Sequence, residues 1–120
     1  MIDYAIEEGT KEIKGDRTLT WYYKKMASGD AFAYCYDTVP VACNKETGAL
    51  YQGSINITLP SGLFTSCRNV HVTPAGSTGA GYAFFGRYVY YTTYINLLFL
   101  STASATKDIA YSALVIGRWK

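Results

Sequence analysis

The stretch from Leu19 to Asp37, which reads LTWYYKKMASGDAFAYCYD, decides the fold of the chain. Its Tyr, Trp, Phe and Thr residues favour a pleated, half-buried surface, and Ser-Gly-Asp between two such runs is typical of a turn. The stretch therefore predicts a β-hairpin, with a first strand Thr18–Met26, a turn around residues 27–30 and a second strand Ala31–Tyr36.

Outward from this hairpin, short extended segments alternate with turn residues along the rest of the chain. The first of these segments, residues 39–41, contains Pro40 and is therefore predicted to lie at a sheet edge, because proline has no N–H to donate to a neighbouring strand. Seven or eight such strands predict an all-β chain, an antiparallel β-sandwich or jelly roll. The predicted strands are 39–41, 50–59, 64–74, 81–87, 88–100 and 107–118, and the predicted loops are 44–48, 75–80 and 101–106.

The last predicted strand is apolar on both of its faces. Such a strand is either central in a sandwich or packed against another subunit. One face carries Ile109, Tyr111, Ala113 and Val115, and the other carries Ala110, Leu114 and Ile116.

Residues 1–17 differ in charge from the remainder. They hold five acidic and three basic residues, a net charge of −2, whereas residues 18–120 hold four acidic and eight basic residues, a net charge of +4. Gly9-Thr10 and Gly15-Asp16 interrupt the first segment. We therefore divide the chain into a solvated lead-in, residues 1–17, which is a linker or a strand, and a β-sandwich head domain, residues 18–120.

Bulk composition argues against several functional classes. A net charge of +2 is too small to indicate nucleic-acid binding. The run Ile95–Leu100 is far too short to cross a bilayer, and MIDYAIEEGTKEIKGD lacks the regions of a signal peptide, so we expect synthesis in the cytoplasm and no membrane insertion. Cys35, Cys43 and Cys67, with a single histidine, form neither a closed disulfide framework nor a structural zinc site. No metal or cofactor is expected.

No stretch carries the pattern of a catalytic site. His71 lies in an alternating run on the polar face of a strand and is interpreted as a surface or interface histidine. The glycine-rich residues 76–81 lack the Gly-Lys-Ser/Thr of a phosphate-binding loop. A glycosidase needs two carboxylates across a cleft. The acids beyond residue 17 instead lie in or beside predicted turns: Asp30, Asp37, Glu46 and Asp108. The chain is predicted not to be an enzyme.

Aromatic residues concentrate between residues 82 and 94, where seven aromatics and one arginine follow the glycine-rich loop. Alternation buries about half of them in a core or a subunit interface, which is the more common role. The remainder forms a Tyr/Arg surface suited to stacking on sugar rings or anchoring a protein partner. The candidate ligand-binding residues are Arg87, Tyr88, Tyr90 and Tyr91.

Motifs at the two ends of the chain resemble one family. The segments are Glu7-Glu8-Gly9-Thr10, then TWYYKKMASG and AYCY in the hairpin, and finally Gly117-Arg118-Trp119-Lys120. Together they resemble the C-terminal domain of tail-fibre and minor structural proteins from phages and prophages of Gram-positive bacteria. At Met26 and at Tyr36 the family pattern has tryptophan.

This resemblance implies a β-sandwich similar to the H-type lectin fold, assembled as a homotrimer at the tip of a virion tail fibre. Residues 1–17 would then connect the head to a fibre shaft. The implied function is non-enzymatic attachment to a carbohydrate or other receptor on the host cell surface. The alternative, from a different class, is a purely structural trimerisation cap that ends a shaft and binds no ligand.

Overall fold

The computed structural model describes residues 2–14, 18–77 and 83–120, with side chains for all of these except residues 68, 74–77 and 83–87. Nine strands and no helix occur in these ranges. No helix there is long and apolar enough to span a membrane. The strands are β1 (Ala5–Ile13), β2 (Leu19–Met26), β3 (Asp30–Cys43), β4 (Lys45–Thr47), β5 (Leu50–Thr58), β6 (Ser66–Ser77), β7 (Ala83–Tyr90), β8 (Tyr94–Ser101) and β9 (Ala105–Arg118).

The strands form two antiparallel sheets. One has five strands in the order β1-β2-β3-β9-β6, and the other has four in the order β4-β5-β8-β7. Alternate side chains of both sheets point into one shared core, because successive residues of a strand face opposite sides. The core combines Trp21, Ala33, Cys35, Ile109, Tyr111 and Val115 from the first sheet with Ile57, Ile95, Leu97 and Phe99 from the second. The predicted all-β, two-sheet class is confirmed.

The predicted hairpin is present, but its second strand is longer than expected. β3 runs through the predicted break at residues 37–38 because β9 pairs with it along its whole length, from Asp30 opposite Arg118 to Cys43 opposite Ala105. β2 pairs with β3 only at residues 31–34. Among the described strands, none pairs with this edge of the later half of β3, and Pro40 lies on it, as a proline within a sheet requires.

Two other boundaries differ from the prediction. Lys45–Thr47, expected to be loop, is the short strand β4, which pairs with Leu50–Gln52. The predicted break between Arg87 and Tyr88 is wrong, because β7 continues to Tyr90 and the turn follows at residues 91–93. Gly86 lies at a register shift between Phe85 and Arg87, where it acts as a bulge within the strand instead of ending it. The predicted glycine-rich loop falls partly on β6, and its residues 78–80 lie outside the described residues.

The acidic start of the chain forms β1, an antiparallel partner of β2. Glu7 and Glu8 face the basic residues of β2: a Glu7 carboxylate oxygen lies 3.7 Å from Nζ of Lys25, and one of Glu8 lies 3.6 Å from Nζ of Lys24. Part of the acidic charge of residues 1–17 is thus paired with basic residues of the same sheet. The division into a lead-in and a head domain stays a prediction.

Both ends of the chain meet the turn between β2 and β3. Gly29 in this turn has φ of 101°, a backbone conformation that residues with a side chain rarely adopt. The Arg118 guanidinium pairs with Asp30 at 3.0 Å and donates to the carbonyl of Ser28 at 2.9 Å. From the other end, the Asp3 carboxylate accepts hydrogen bonds from the hydroxyl and the backbone N–H of Ser28. The Ser-Gly and Gly-Arg-Trp-Lys motifs are therefore in direct contact.

The structure shows the first of the two alternatives for β9, a central position, and packing of its other face against another subunit stays a prediction. This strand is central in the five-stranded sheet, between β3 and β6, and one of its faces is buried in the core. Its other face points out of the sandwich, where Leu114 is exposed. This outward face belongs to the surface considered next.

Candidate binding surface

The structure places the predicted ligand residues along β7 and its turn. Arg87 is in β7, and its side chain lies outside the described part. Tyr88 is 37% exposed, and its hydroxyl donates a 2.9 Å hydrogen bond to the carbonyl of Val70 in β6. Since β6 belongs to the opposite sheet, this contact ties the two sheets together along one side.

Tyr90 and Tyr91 differ from each other in environment. Tyr90 lies opposite Ile95 on the same face of β7 as Tyr88, and Tyr91 belongs to the turn. The Tyr91 ring is tilted against that of Tyr94 with centroids 4.8 Å apart. Both tyrosines are partly exposed. The structure thus brings Tyr88 and Tyr90 to one face of β7 and places Tyr91 in the turn between β7 and β8. A ligand role for these residues stays a prediction.

A larger aromatic surface lies on the outward side of the five-stranded sheet. We call it the tyrosine face, formed by Tyr22, Phe32, Tyr34, Tyr36, Leu114 and Ile116. The strand registers align these residues: Tyr22 lies opposite Tyr34, which lies opposite Leu114, and Phe32 lies opposite Ile116. Small residues alternate with them on β3, namely Ala31, Ala33 and Cys35, and these face the core. In the first half of β3 the bulky side chains therefore point to solvent.

Three tyrosines of this face form a stack. The ring centroid of Tyr22 lies 5.0 Å from that of Tyr34 and 6.5 Å from that of Tyr36, with nearly parallel planes. The pKa of Tyr22 is raised, first by charge repulsion with Tyr36 and also by a hydrogen bond with it. Tyr34 and Tyr36 are 50% and 67% exposed, which is unusual for aromatic side chains on a central strand. Two of the three stacked tyrosines are therefore accessible to a ligand or a partner.

Tyr34 separates two shallow depressions on this face. One has a volume of about 290 Å³ and includes Thr10, Lys24 and Phe32, and the other has a volume of about 390 Å³ and includes Tyr36, His71 and Leu114. Each combines aromatic or aliphatic walls with a few polar groups, which is the composition of a shallow ligand site.

The described structure places the polar candidates from the sequence on several different strands. His71 is exposed beside the tyrosine face, as expected of a surface histidine. Asp37 lies inside β3 and not beside a turn, which corrects the prediction for this acid, whereas Asp108 lies in β9, as the predicted strand 107–118 placed it. Among the described residues, no three His, Cys, Asp or Glu side chains come together as a metal site.

The cysteines are free thiols in the described structure. Burial, with a smaller contribution from the charge of Asp37, raises the pKa of Cys35 to about 12. Burial also raises the pKa values of Cys43 and Cys67. Their thiols are therefore poor nucleophiles at neutral pH, as expected of thiols on strands.

The tyrosine face was missed at the sequence level, although a signal for it exists. Tyr22, Tyr34 and Tyr36 share one face once the hairpin register is known, because Tyr34 and Tyr36 are two residues apart and Tyr22 is the cross-strand partner of Tyr34. The alternation of alanines with aromatics in AFAYCY also indicates that the aromatic positions point away from a close-packed core.

One solved structure with a similar fold is the R1 pyocin fibre of P. aeruginosa, in a fragment comprising C-terminal residues 323–701. The two chains share 13% sequence identity at a TM-score of 0.57, and the match covers 94% of this chain and 28% of that chain. No protein-family model and no curated protein matches the chain. The likeness shows that this all-β fold also occurs within a pyocin fibre.

Proposed function

We propose that the chain is the tip domain of a tail fibre from a phage or prophage and attaches the virion to carbohydrate on a host cell. Two independent lines support a fibre origin. The end motifs resemble tail-fibre proteins of Gram-positive phages, and the fold is shared with part of a pyocin fibre. By this proposal the chain is non-enzymatic, and the H-type-lectin-like sandwich serves as a binding module.

The exposed tyrosine face carries the binding part of the proposal. Tyrosine contributes a rigid aromatic surface and a hydroxyl at little cost in side-chain entropy, which suits recognition of sugar hydroxyls and of the apolar faces of sugar rings. Tyr34 is central, because it contacts Tyr22 and borders both depressions. A single shallow site of this kind binds weakly. Three copies on a rigid fibre increase avidity through effective concentration.

The test is a glycan array probed with the purified protein, its oligomeric state checked by light scattering. Tyr34→Ala and Tyr36→Ala are expected to abolish binding. Tyr4→Ala is the matched control, because Tyr4 is 63% exposed but lies beside the β2–β3 turn, where its carbonyl accepts a hydrogen bond from the N–H of Ala27. Tyr90→Ala tests the ligand residues that the sequence predicted in β7. Loss of binding with Tyr90→Ala alone would move the site to β7.

A structural trimerisation cap is the second candidate. The observation that favours it is that the tyrosine face is continuous with aliphatic side chains, Leu114 at 37% exposure and the half-buried Phe32 and Ile116. Such an aromatic and aliphatic surface is also suited to contact with a second copy. A blank array from an intact oligomer that Tyr34→Ala converts to monomers would establish the cap and overturn the attachment proposal.

A further inference from the structure

An opening lies between the two sheets, on the side where each has a strand edge that the described strands leave partly unpaired. In the described structure β2 pairs with β3 only at residues 31–34, and β4 pairs with β5 only at residues 50–52. The remaining lengths of β3 and β5 face each other across this side. We call the space between them the interstrand cleft.

The cleft is closed at both ends by specific contacts. At one end β5 approaches β3 so closely that a Cβ on Gly53 would overlap the backbone carbonyl of Ala42. At the other end the indole N–H of the fully buried Trp21 donates a 2.9 Å hydrogen bond to the carbonyl of Thr58. Between these two contacts the sheets diverge and leave about 480 Å³, a volume typical of small-molecule sites.

The lining of the cleft is apolar on its floor and polar on its rim. The floor includes Ile57 and Tyr111, and Ile13 and Leu19 of β1 and β2 form an outer wall. Polar groups come from Lys14, Asp37 and Asn56. The Asn56 side chain is oriented by a 2.8 Å hydrogen bond that its Oδ1 accepts from Asn96. Among the described residues of this rim, one carboxylate and one ammonium group balance each other, which favours a neutral ligand.

The edge of β3 argues against an added peptide strand. The N–H of Thr38 donates to the Asp37 carboxylate at 2.8 Å, and so it points to the open edge and is already engaged. Pro40, two residues further on, points the same way and has no N–H. A peptide strand would thus meet two successive positions without an available donor. A compact ring that carries several hydroxyl groups can bind here without a ladder of backbone hydrogen bonds.

We propose that the interstrand cleft binds one or two neutral sugar residues, as a site separate from the tyrosine face. The Asp37 carboxylate and the Asn56 amide would bind hydroxyls, and the apolar floor would contact the C–H face of the ring. The inference rests on the proposed function in one respect, namely that the ligand of this chain is carbohydrate.

The test is a titration of ¹⁵N-labelled protein with a panel of monosaccharides: glucose, galactose, rhamnose, N-acetylglucosamine and N-acetylgalactosamine. We expect at least one of them to shift the amide signals of residues 37–39 and 55–58 in a saturable manner. Asp37→Asn keeps an acceptor for the Thr38 N–H but removes the charge, and is expected to weaken binding about tenfold. Tyr34→Ala is the matched control and should leave these shifts unchanged.

A second variant, Val39→Phe, fills the cleft without touching its polar groups and should abolish the shifts while the remaining spectrum shows a folded protein. No saturable shift at residues 37–39 and 55–58 with any sugar overturns the inference. Glycan-array binding that Tyr34→Ala abolishes supports the proposed function alone, because the cleft is judged by its own amide shifts and by their loss in Val39→Phe. Cleft shifts together with a blank array support the cleft and overturn attachment through the tyrosine face.

Discussion

The Arg118 guanidinium occupies the space that a side chain on Gly29 would require. A backbone hydrogen bond lies beside this contact: the N–H of Trp119, the residue after Arg118, donates to the carbonyl of Gly29 at 3.0 Å. Gly29 therefore serves two purposes: it permits a φ of 101°, and it leaves room for the end of the chain to pack on the hairpin turn. The contact joins residues 89 positions apart, so it stabilises tertiary structure and not only the turn.

Gly29→Ala is expected to destabilise the fold through both effects. The backbone conformation alone costs roughly 1–3 kcal/mol for a residue with a Cβ, and displacement of Arg118 adds to that. Gly48→Ala is the matched control, because Gly48 has φ of 62° but no atom within 4 Å of a Cβ built there; its cost should be about 1–2 kcal/mol. Urea unfolding measures both. Equal losses for the two variants would show that the Arg118 contact contributes nothing.

Trp21→Phe is expected to lower the free energy of unfolding by about 2–4 kcal/mol, because it leaves a cavity in the core and removes the hydrogen bond to the Thr58 carbonyl. Trp119→Phe loses a comparable hydrogen bond, to the carbonyl of Met26 at 2.8 Å, but at a partly exposed site. Its loss should be near 1 kcal/mol. Chemical denaturation of the two variants checks the order, which would be reversed if the C-terminal contact dominated stability.

Alkaline pH should destabilise the protein through Cys35. Burial raises the pKa of this thiol from 9.0 to about 12, so the folded state disfavours the thiolate. Its contribution is complete below about pH 9 and is lost as the pH rises toward 12. At about pH 10.5 the loss approaches roughly 2 kcal/mol. Unfolding curves of the wild-type chain and Cys35→Ala, compared at neutral pH and at about pH 10.5, isolate this thiol from the tyrosines. A constant difference between them would contradict the prediction.

Acidic pH should loosen β1 before the rest of the sheet. The hydroxyl of Tyr23, and then the charge of Lys25, lower the pKa of Glu7; hydrogen bonds from Ser28 lower that of Asp3. These carboxylates stabilise the fold while ionised, so their contribution is present above their ordinary pKa values and is lost as the pH falls through the lowered ones. Hydrogen exchange of residues 5–13 should accelerate on acidification more than that of β9, and Glu7→Gln should show part of this effect at neutral pH.

The hairpin, the two-sheet class and most strands could be predicted because alternation and turn chemistry are local properties. The length of β3 could not, because it depends on pairing with β9, whose residues are more than sixty positions away in the sequence. The short β4 exists only because Leu50–Gln52 offers it a partner. Gly86 could not be interpreted locally either. A glycine at this point suggests the end of a strand, but pairing with β8 continues on both sides of it, so that it forms a bulge inside β7.

The candidate site was harder to predict than the fold. The aromatic cluster at residues 82–94 was the more obvious sequence signal, yet Tyr88 uses its hydroxyl to hold the two sheets together. The tyrosine face is assembled from residues on two strands and becomes visible only through their register. The interstrand cleft depends on how far the two sheets diverge between Gly53 and Trp21, and no local sequence pattern specifies that distance.

Residues 3–4 and 118–119 contact the same turn between β2 and β3, so the chain enters and leaves the described fold at one pole of a body about 52 Å long. The opposite pole carries β4 and the connection between β8 and β9, far from both ends. A tag, a surface linker or a second protein fused at either end would therefore emerge on the same side and present the same opposite pole outward. For biosensor design this means that immobilisation through the amino or the carboxyl end should give equivalent orientations of the domain.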